Sequence, residues 1–200
     1  MPPSPPSFTT WTGIAYRATS YDVPLWAGPN RRNGRWNIAG TMPTQYLTLD
    51  PESAWAEMLR HEDLRTERDA AMYRTSIWQL RVDEGAVVDY STFEKAEDAG
   101  FPPDALVDDD FERCQLEAQR LQGLGARGVL SPSAALPGGM CLTLFGEKVA
   151  VKWGTSGGLA STLPAQKLTT GPPPTGLVGR TRFFGEDHAE LDAYLNLRRL

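Results

Sequence analysis

Asn33-Gly34-Arg35-Trp36-Asn37 is the stretch on which the reading of this chain turns. It sits inside residues 22–44, which are rich in Gly, Pro and Asn and read as one long loop. Loops of that length inside a compact domain are commonly functional. Arg31, Arg32 and Arg35 form a small basic cluster, while the other arginines are scattered. The guanidinium is a planar fork of donors that matches phosphate oxygens. Such a cluster suits the two phosphates of a nucleotide, not a nucleic-acid duplex.

The flanks of this loop read as regular structure. Residues 14–18, Ile-Ala-Tyr-Arg-Ala, predict a first strand, and 45–49, Gln-Tyr-Leu-Thr-Leu, alternate as a second. Asp50-Pro51 opens a helix, because Asp50 can cap free N–H groups and Pro51 lacks the donor that the first turn leaves unused. That helix is expected to run to about Glu62. Ala54, Met58 and His61 recur at spacings of four and three on the face that Glu57 borders, which turns a carboxylate toward the buried side. Strands are expected at 73–82 and at Val87-Val88. The acidic run Asp108-Asp109-Asp110 favours a helix N-terminus, and Phe111, Cys114, Ala118 and Leu121 recur at helical spacing. Gly123 and Gly125 stop that helix. Strands follow at 127–131, 140–145 and 147–153, the last two joined by a tight turn at Gly146.

These elements predict an α/β (α+β) domain over 13–153, preceded by a floppy lead-in at 1–12. Composition changes after Trp153. Residues 154–200 read as an extended arm crossing the surface, closed by a short helix at about 186–197.

Two hundred residues with 40% hydrophobic content suit one globular domain. The net charge of -5 argues against nucleic acid as a direct partner, since phosphate neutralisation needs basic surface. No apolar run is long enough to predict a membrane span, and MPPSPPSFTT lacks the features of a secretory signal. Cys114 and Cys141 make neither a disulfide framework nor a zinc site, which points to a reducing cytoplasm. Gly123-Leu124-Gly125-Ala126-Arg127-Gly128 spells a dinucleotide fingerprint, but it follows a helix and precedes a strand, the reverse of what that motif requires. His61 and His188 are too few to build a metal site with Glu57, so no metal is expected. No serine stands in a nucleophile elbow. A homo-oligomer is left open.

Arg35, Tyr46, Glu57 and Ser133 together suit cleavage of a nicotinamide–ribose bond. That reaction passes through a cationic sugar, as glycoside cleavage does, and a carboxylate near the anomeric carbon stabilises it. Glu57 suits that role. Nicotinamide leaves as a neutral molecule and needs no strong acid. Arg35, with Arg17 second, would grip the pyrophosphate. Tyr46 would stack on the charged nicotinamide ring, and Ser133 would bond the ribose or steady Glu57. Each residue also has a plainer reading. Arg35 could pair with Asp22, Tyr46 could fill a core, Glu57 could be solvated, and Ser133 after a proline could serve a turn.

In order and content, Tyr16-Arg17, Gly34-Arg35-Trp36-Asn37, Gln45-Tyr46-Leu47, Ala54-Trp55-Ala56-Glu57 and Pro132-Ser133-Ala134 resemble the RES domain, named for its arginine, glutamate and serine. The resemblance runs from about Tyr16 to Val151. It implies a split, mixed β-sheet with flanking helices, similar to ADP-ribosyltransferases, around an NAD+ cleft. It implies a toxin of a toxin–antitoxin pair that consumes NAD+ by hydrolysis or phosphorolysis. Transfer of ADP-ribose to a protein or nucleotide is the alternative, and a non-catalytic nucleotide-binding module the second. The implied partner is an Xre-type helix-turn-helix antitoxin. The implied site is Arg35, Tyr46, Glu57 and Ser133, with Arg17 as a further NAD+ contact. The chain departs from the family pattern at Asn33, where many members carry glycine, and at Cys141-Leu142-Thr143, where many are rich in asparagine.

Overall fold

The computed structural model describes residues 7–155 and 161–198. Of the expected lead-in, residues 1–6 lie outside them, and residues 8–12 already belong to the first strand. That strand, β1, spans Phe8–Thr19, well beyond the expected 14–18. It is long because its partner is long. β3, Thr75–Asp89, joins the two expected strands at 73–82 and 87–88 into one. β1 pairs with both halves, with a register shift between Thr9 and Trp11. Ala86 takes up the irregularity on the β3 side with a left-handed φ of 51°.

The sheet divides at β3. One edge of β3 carries β1, antiparallel. The other edge carries β7, Thr162–Gly171, along its first half, and β4, Gly128–Pro132, parallel to its last residues. From β4 the sheet continues antiparallel to β5, Met140–Phe145, and then to β2, Thr44–Thr48. β2 returns to β1 through the bridge Tyr16↔Thr48. The pairings β1–β2–β5–β4–β3 therefore close on themselves. Their inward side chains, Ala15, Leu47, Leu80, Val82, Val87, Leu142 and Leu144, form one buried cluster. The mixed, split sheet with flanking helices agrees with the fold class read from the sequence.

β6, Val149–Lys152, is not the hairpin partner of β5 that the turn at Gly146 suggested. It pairs in parallel with β7 at the far end of the sheet. The chain is drawn away because Gly146 N–H bonds to the Pro43 carbonyl (2.8 Å) and Lys148 N–H to Trp26 (3.3 Å). The fully buried Lys148 ammonium pairs with Glu84 of β3. β7 itself lies in the segment expected as a surface arm. It adds by backbone pairing to the free edge of β3, and most of its second half stays exposed, which is why its side chains gave no strand pattern.

Helices cover the outer faces. α1, Pro51–His61, starts as expected, with Asp50 accepting from Ser53 N–H at 2.7 Å. Two short helices went unforeseen: α2, Glu67–Met72, and α3, Phe93–Asp98. α4, Glu112–Gly123, begins after the acidic run. Asp109 does not cap it, and Phe111 at its N-cap makes no side-chain cap bond. Asp109 instead accepts from Arg60 and Arg182 and from Gly185 N–H. This fastens the segment before α5, Ala189–Leu197, onto α1. No helix among the described residues is long and apolar enough to cross a membrane.

Candidate active site

Arg35 rides on a tight two-residue turn. Gly34 and Asn37 exchange backbone bonds (3.0 and 3.3 Å), so Arg35 and Trp36 project from the tip. The turn is pinned from below by Tyr46 of β2, whose hydroxyl accepts from Trp36 N–H at 2.9 Å and donates to Asn37 Oδ1 at 2.8 Å. Only glycine fits at 34, because a Cβ there would lie 2.5 Å from the Tyr46 hydroxyl. α4 pins the turn from the side: Gln115 Nε2 donates to the carbonyls of Gly34 (3.0 Å) and Asn37 (3.2 Å). Trp36 is buried in the core against Phe101. The Arg35 guanidinium donates to the Ala105 carbonyl at 3.0 Å and lies 5.0 Å from the centre of the Phe111 ring. It forms no ion pair among the described residues. Asp22 instead lies 3.9 Å from Lys167, at the surface.

Glu57 projects from α1 with its side chain 26% exposed. Its Oε1 accepts from the Ser133 hydroxyl at 2.8 Å and from the Cys141 thiol at 3.4 Å. Oε2 has His61 Nε2 at 3.9 Å. Ser133 is fully buried directly after β4. Its oxygen also accepts from Ala135 N–H (3.2 Å) and Leu136 N–H (3.0 Å), so its proton is directed to Glu57. The loop carrying it is docked on α1 by Gly139, whose absent Cβ would stand 2.2 Å from Ser53 Oγ. From the other side His188 Nε2 donates to the Ser133 carbonyl at 3.1 Å. Burial holds the His188 imidazole below its ordinary range, and the nearby Arg182 and Arg35 charges act the same way against the Ser133 carbonyl bond.

Strand register brings the two halves together. Tyr46 faces Thr143 across β2–β5, and Cys141 faces both Thr48 and Ser131. With two-residue alternation, Tyr46, Thr48, Cys141, Thr143 and Ser131 share the outer face. The charge of Arg35 acts on Tyr46, Cys141 and His188, and that of Glu57 on Cys141 and Arg60. Burial pushes the Tyr46 hydroxyl and the Cys141 thiol up, so both keep their protons as donors. Arg17 stands apart. It shares its strand face with Ala15, donates to Gln45 Oε1 at 3.4 Å and lies 4.8 Å from the centre of the Trp26 ring. Burial lowers it to about 10, and no carboxylate pairs with it among the described residues. No hydrogen bond joins it to the other four; its charge reaches Tyr46 alone among them.

Gln115, Gly139, Cys141 and His188 complete the arrangement and were not found as site residues in the sequence. Each acts through a partner distant along the chain, and no local motif marks that. A cavity of about 300 Å³ lies behind the Arg35 turn, between Trp36, Met42 and Gln119, and does not include Glu57 or Ser133.

Comparison with known proteins agrees with this architecture. The RES domain family model matches residues 11–158. NAD(+) phosphorylase MbcT of Mycobacterium tuberculosis is 28% identical over 128 residues, 62% of this chain and 69% of that protein, and the Mycobacterium bovis protein matches equally. The crystal structure of the M. tuberculosis MbcT–MbcA toxin–antitoxin complex is similar in fold. Its TM-score is 0.61 at 22% identity, over 81% of this chain and 87% of that one. The chain belongs to the RES domain family.

Proposed function

We propose that this protein consumes NAD+ by breaking its nicotinamide–ribose bond, passing the ADP-ribosyl group to phosphate or water, and that it acts as a growth-arresting toxin. The observation that carries this reading is the 2.8 Å bond from Ser133 to Glu57, which fixes a half-exposed carboxylate on the face that holds Arg35. The similarity to NAD(+) phosphorylase MbcT supports the substrate. Glu57 stabilises the cationic sugar carbon, where a preorganised charge acts with little reorganisation. Arg35, with no carboxylate partner among the described residues, holds the pyrophosphate. Tyr46 keeps Arg35 in place, and its half-buried ring offers a face to nicotinamide. Arg17 is a more remote anion contact. The electron pair of the broken bond stays with nicotinamide and neutralises its ring. A phosphate oxygen bonds to the sugar carbon directly; a water oxygen does so and sheds its proton to solvent.

A small Xre-type helix-turn-helix antitoxin that covers this face would restrain the activity. The fold that this chain shares with a protein solved in a toxin–antitoxin complex supports looking for one. The test is to incubate the purified protein with NAD+, with and without phosphate, and follow nicotinamide. Wild type releases it, and Glu57→Gln, still folded, loses on the order of a hundredfold or more. A phosphorylated ADP-ribose product marks phosphate as acceptor, free ADP-ribose marks water, and label on a macromolecule marks transfer. No release under any condition contradicts the proposal.

A further inference from the structure

We propose that Cys141 is a positioning residue for Glu57, and that the carboxylate works through one oxygen. This rests on the proposed NAD+ cleavage for its kinetic consequences, not for its geometry. Two donors reach the same atom: the Ser133 hydroxyl and the Cys141 thiol both point at Oε1, at 2.8 and 3.4 Å. Neither reaches Oε2. The carboxylate plane is thereby fixed at one end, and Oε2 is the oxygen turned to the sugar.

Cys141 suits this task by placement and chemistry. It stands on β5 opposite Ser131 on one side and Thr48 on the other, so the sheet itself sets its position. The adjacent Leu142 and Leu144 alternate into the apolar interior, whereas positions 141 and 143 present Cys and Thr to the outer face. Thr143 is fully buried with its hydroxyl unpartnered among the described residues, a second polar group on the same strand face. Burial and the neighbouring Glu57 charge keep the thiol protonated, so it donates and does not compete as an anion. A thiol is a weak donor. It steers the carboxylate without holding it as tightly as a hydroxyl would.

Cys141→Ala and Cys141→Ser are compared with wild type. The alanine variant lowers kcat about three- to tenfold with KM nearly unchanged, since substrate contacts are intact while the reacting oxygen is freed to rotate. The serine variant restores kcat to within about twofold. A purely structural role would show equal losses with both variants. The Raman S–H stretch is a readout independent of turnover: it loses a hydrogen-bonded component in Cys141→Ala, and in Glu57→Ala that component shifts toward the free-thiol frequency. If wild type cleaves no NAD+, the functional reading falls while the Raman shift still decides this one. An S–H band indifferent to Glu57→Ala, or an active Cys141→Ala with unchanged kcat, overturns it.

Discussion

Tyr46 brings two separable groups to the Arg35 turn, an aromatic ring and a hydroxyl. Its type and strand position suggest an aromatic face for nicotinamide. The structure adds that its hydroxyl ties Trp36 N–H and Asn37 Oδ1, and so holds the turn that presents Arg35. The two roles separate under Tyr46→Phe, which keeps the ring and removes the hydroxyl. Leaving the part-buried Trp36 N–H unpaired costs about 1–3 kcal/mol. KM for NAD+ rises several-fold, and thermal unfolding comes earlier. If the ring alone mattered, phenylalanine would match wild type in both KM and Tm. Glu57 and Ser133 were legible because the family motifs flank them closely in sequence. Gln115 and Cys141 were not. Their partners lie 81 and 84 positions away, and neither residue type is distinctive where it stands.

At the scale of elements, α1 and the loop after β4 carry Glu57 and Ser133, the proposed catalytic pair. Asp50-Pro51 made the start of α1 readable, and the cap is as expected. The docking of the loop was not readable, because it depends on Gly139 approaching Ser53 Oγ, a contact between residues 86 positions apart. Gly139→Ala places a methyl group where Ser53 and the Leu136 carbonyl already lie, at 2.2 and 3.0 Å. Overpacking of this kind destabilises by about 1–3 kcal/mol. It also shifts Ser133 from Glu57, so nicotinamide release falls at temperatures where the variant is fully folded. An alanine variant with wild-type Tm and turnover would show that the loop docks by other means. β7 escaped the sequence reading for a related reason. Only Leu163, Pro164 and Ala165 are buried, and its place in the sheet is fixed by the free edge of β3.

Across the whole molecule, the C-terminal segment closes over the site from behind. Arg182 and Arg60 share Asp109, and His188 reaches the Ser133 carbonyl. For Asp109, burial opposes ionisation, but bonds from Gly185 N–H and Arg60 and the charges of Arg60 and Arg182 outweigh it and hold the carboxyl below its usual range. Its stabilising contribution is present at neutral pH and is lost only as pH falls below about 3.8. His188 titrates earlier. Its folded-state value lies below 6.5, so the unfolded chain binds the extra proton first; stability is full above about 6.5 and falls as pH drops below it. Between pH 7 and 5, Tm falls in wild type, and the fall is shallower in His188→Gln. Equal slopes in the two proteins would remove His188 from that role. The charged groups acting on the ring are Arg182, Arg35 and Glu190.

The central claim is that Arg35 and Glu57 serve one dinucleotide on one face of the sheet. A crystal structure of Glu57→Gln soaked with NAD+ tests it directly. The account predicts the pyrophosphate on the Arg35 guanidinium and the nicotinamide-bearing ribose at the side chain of residue 57, on the oxygen or nitrogen not facing Ser133. NAD+ lodged instead in the cavity behind the turn, against Trp36 and Gln119 and away from residue 57, would contradict it.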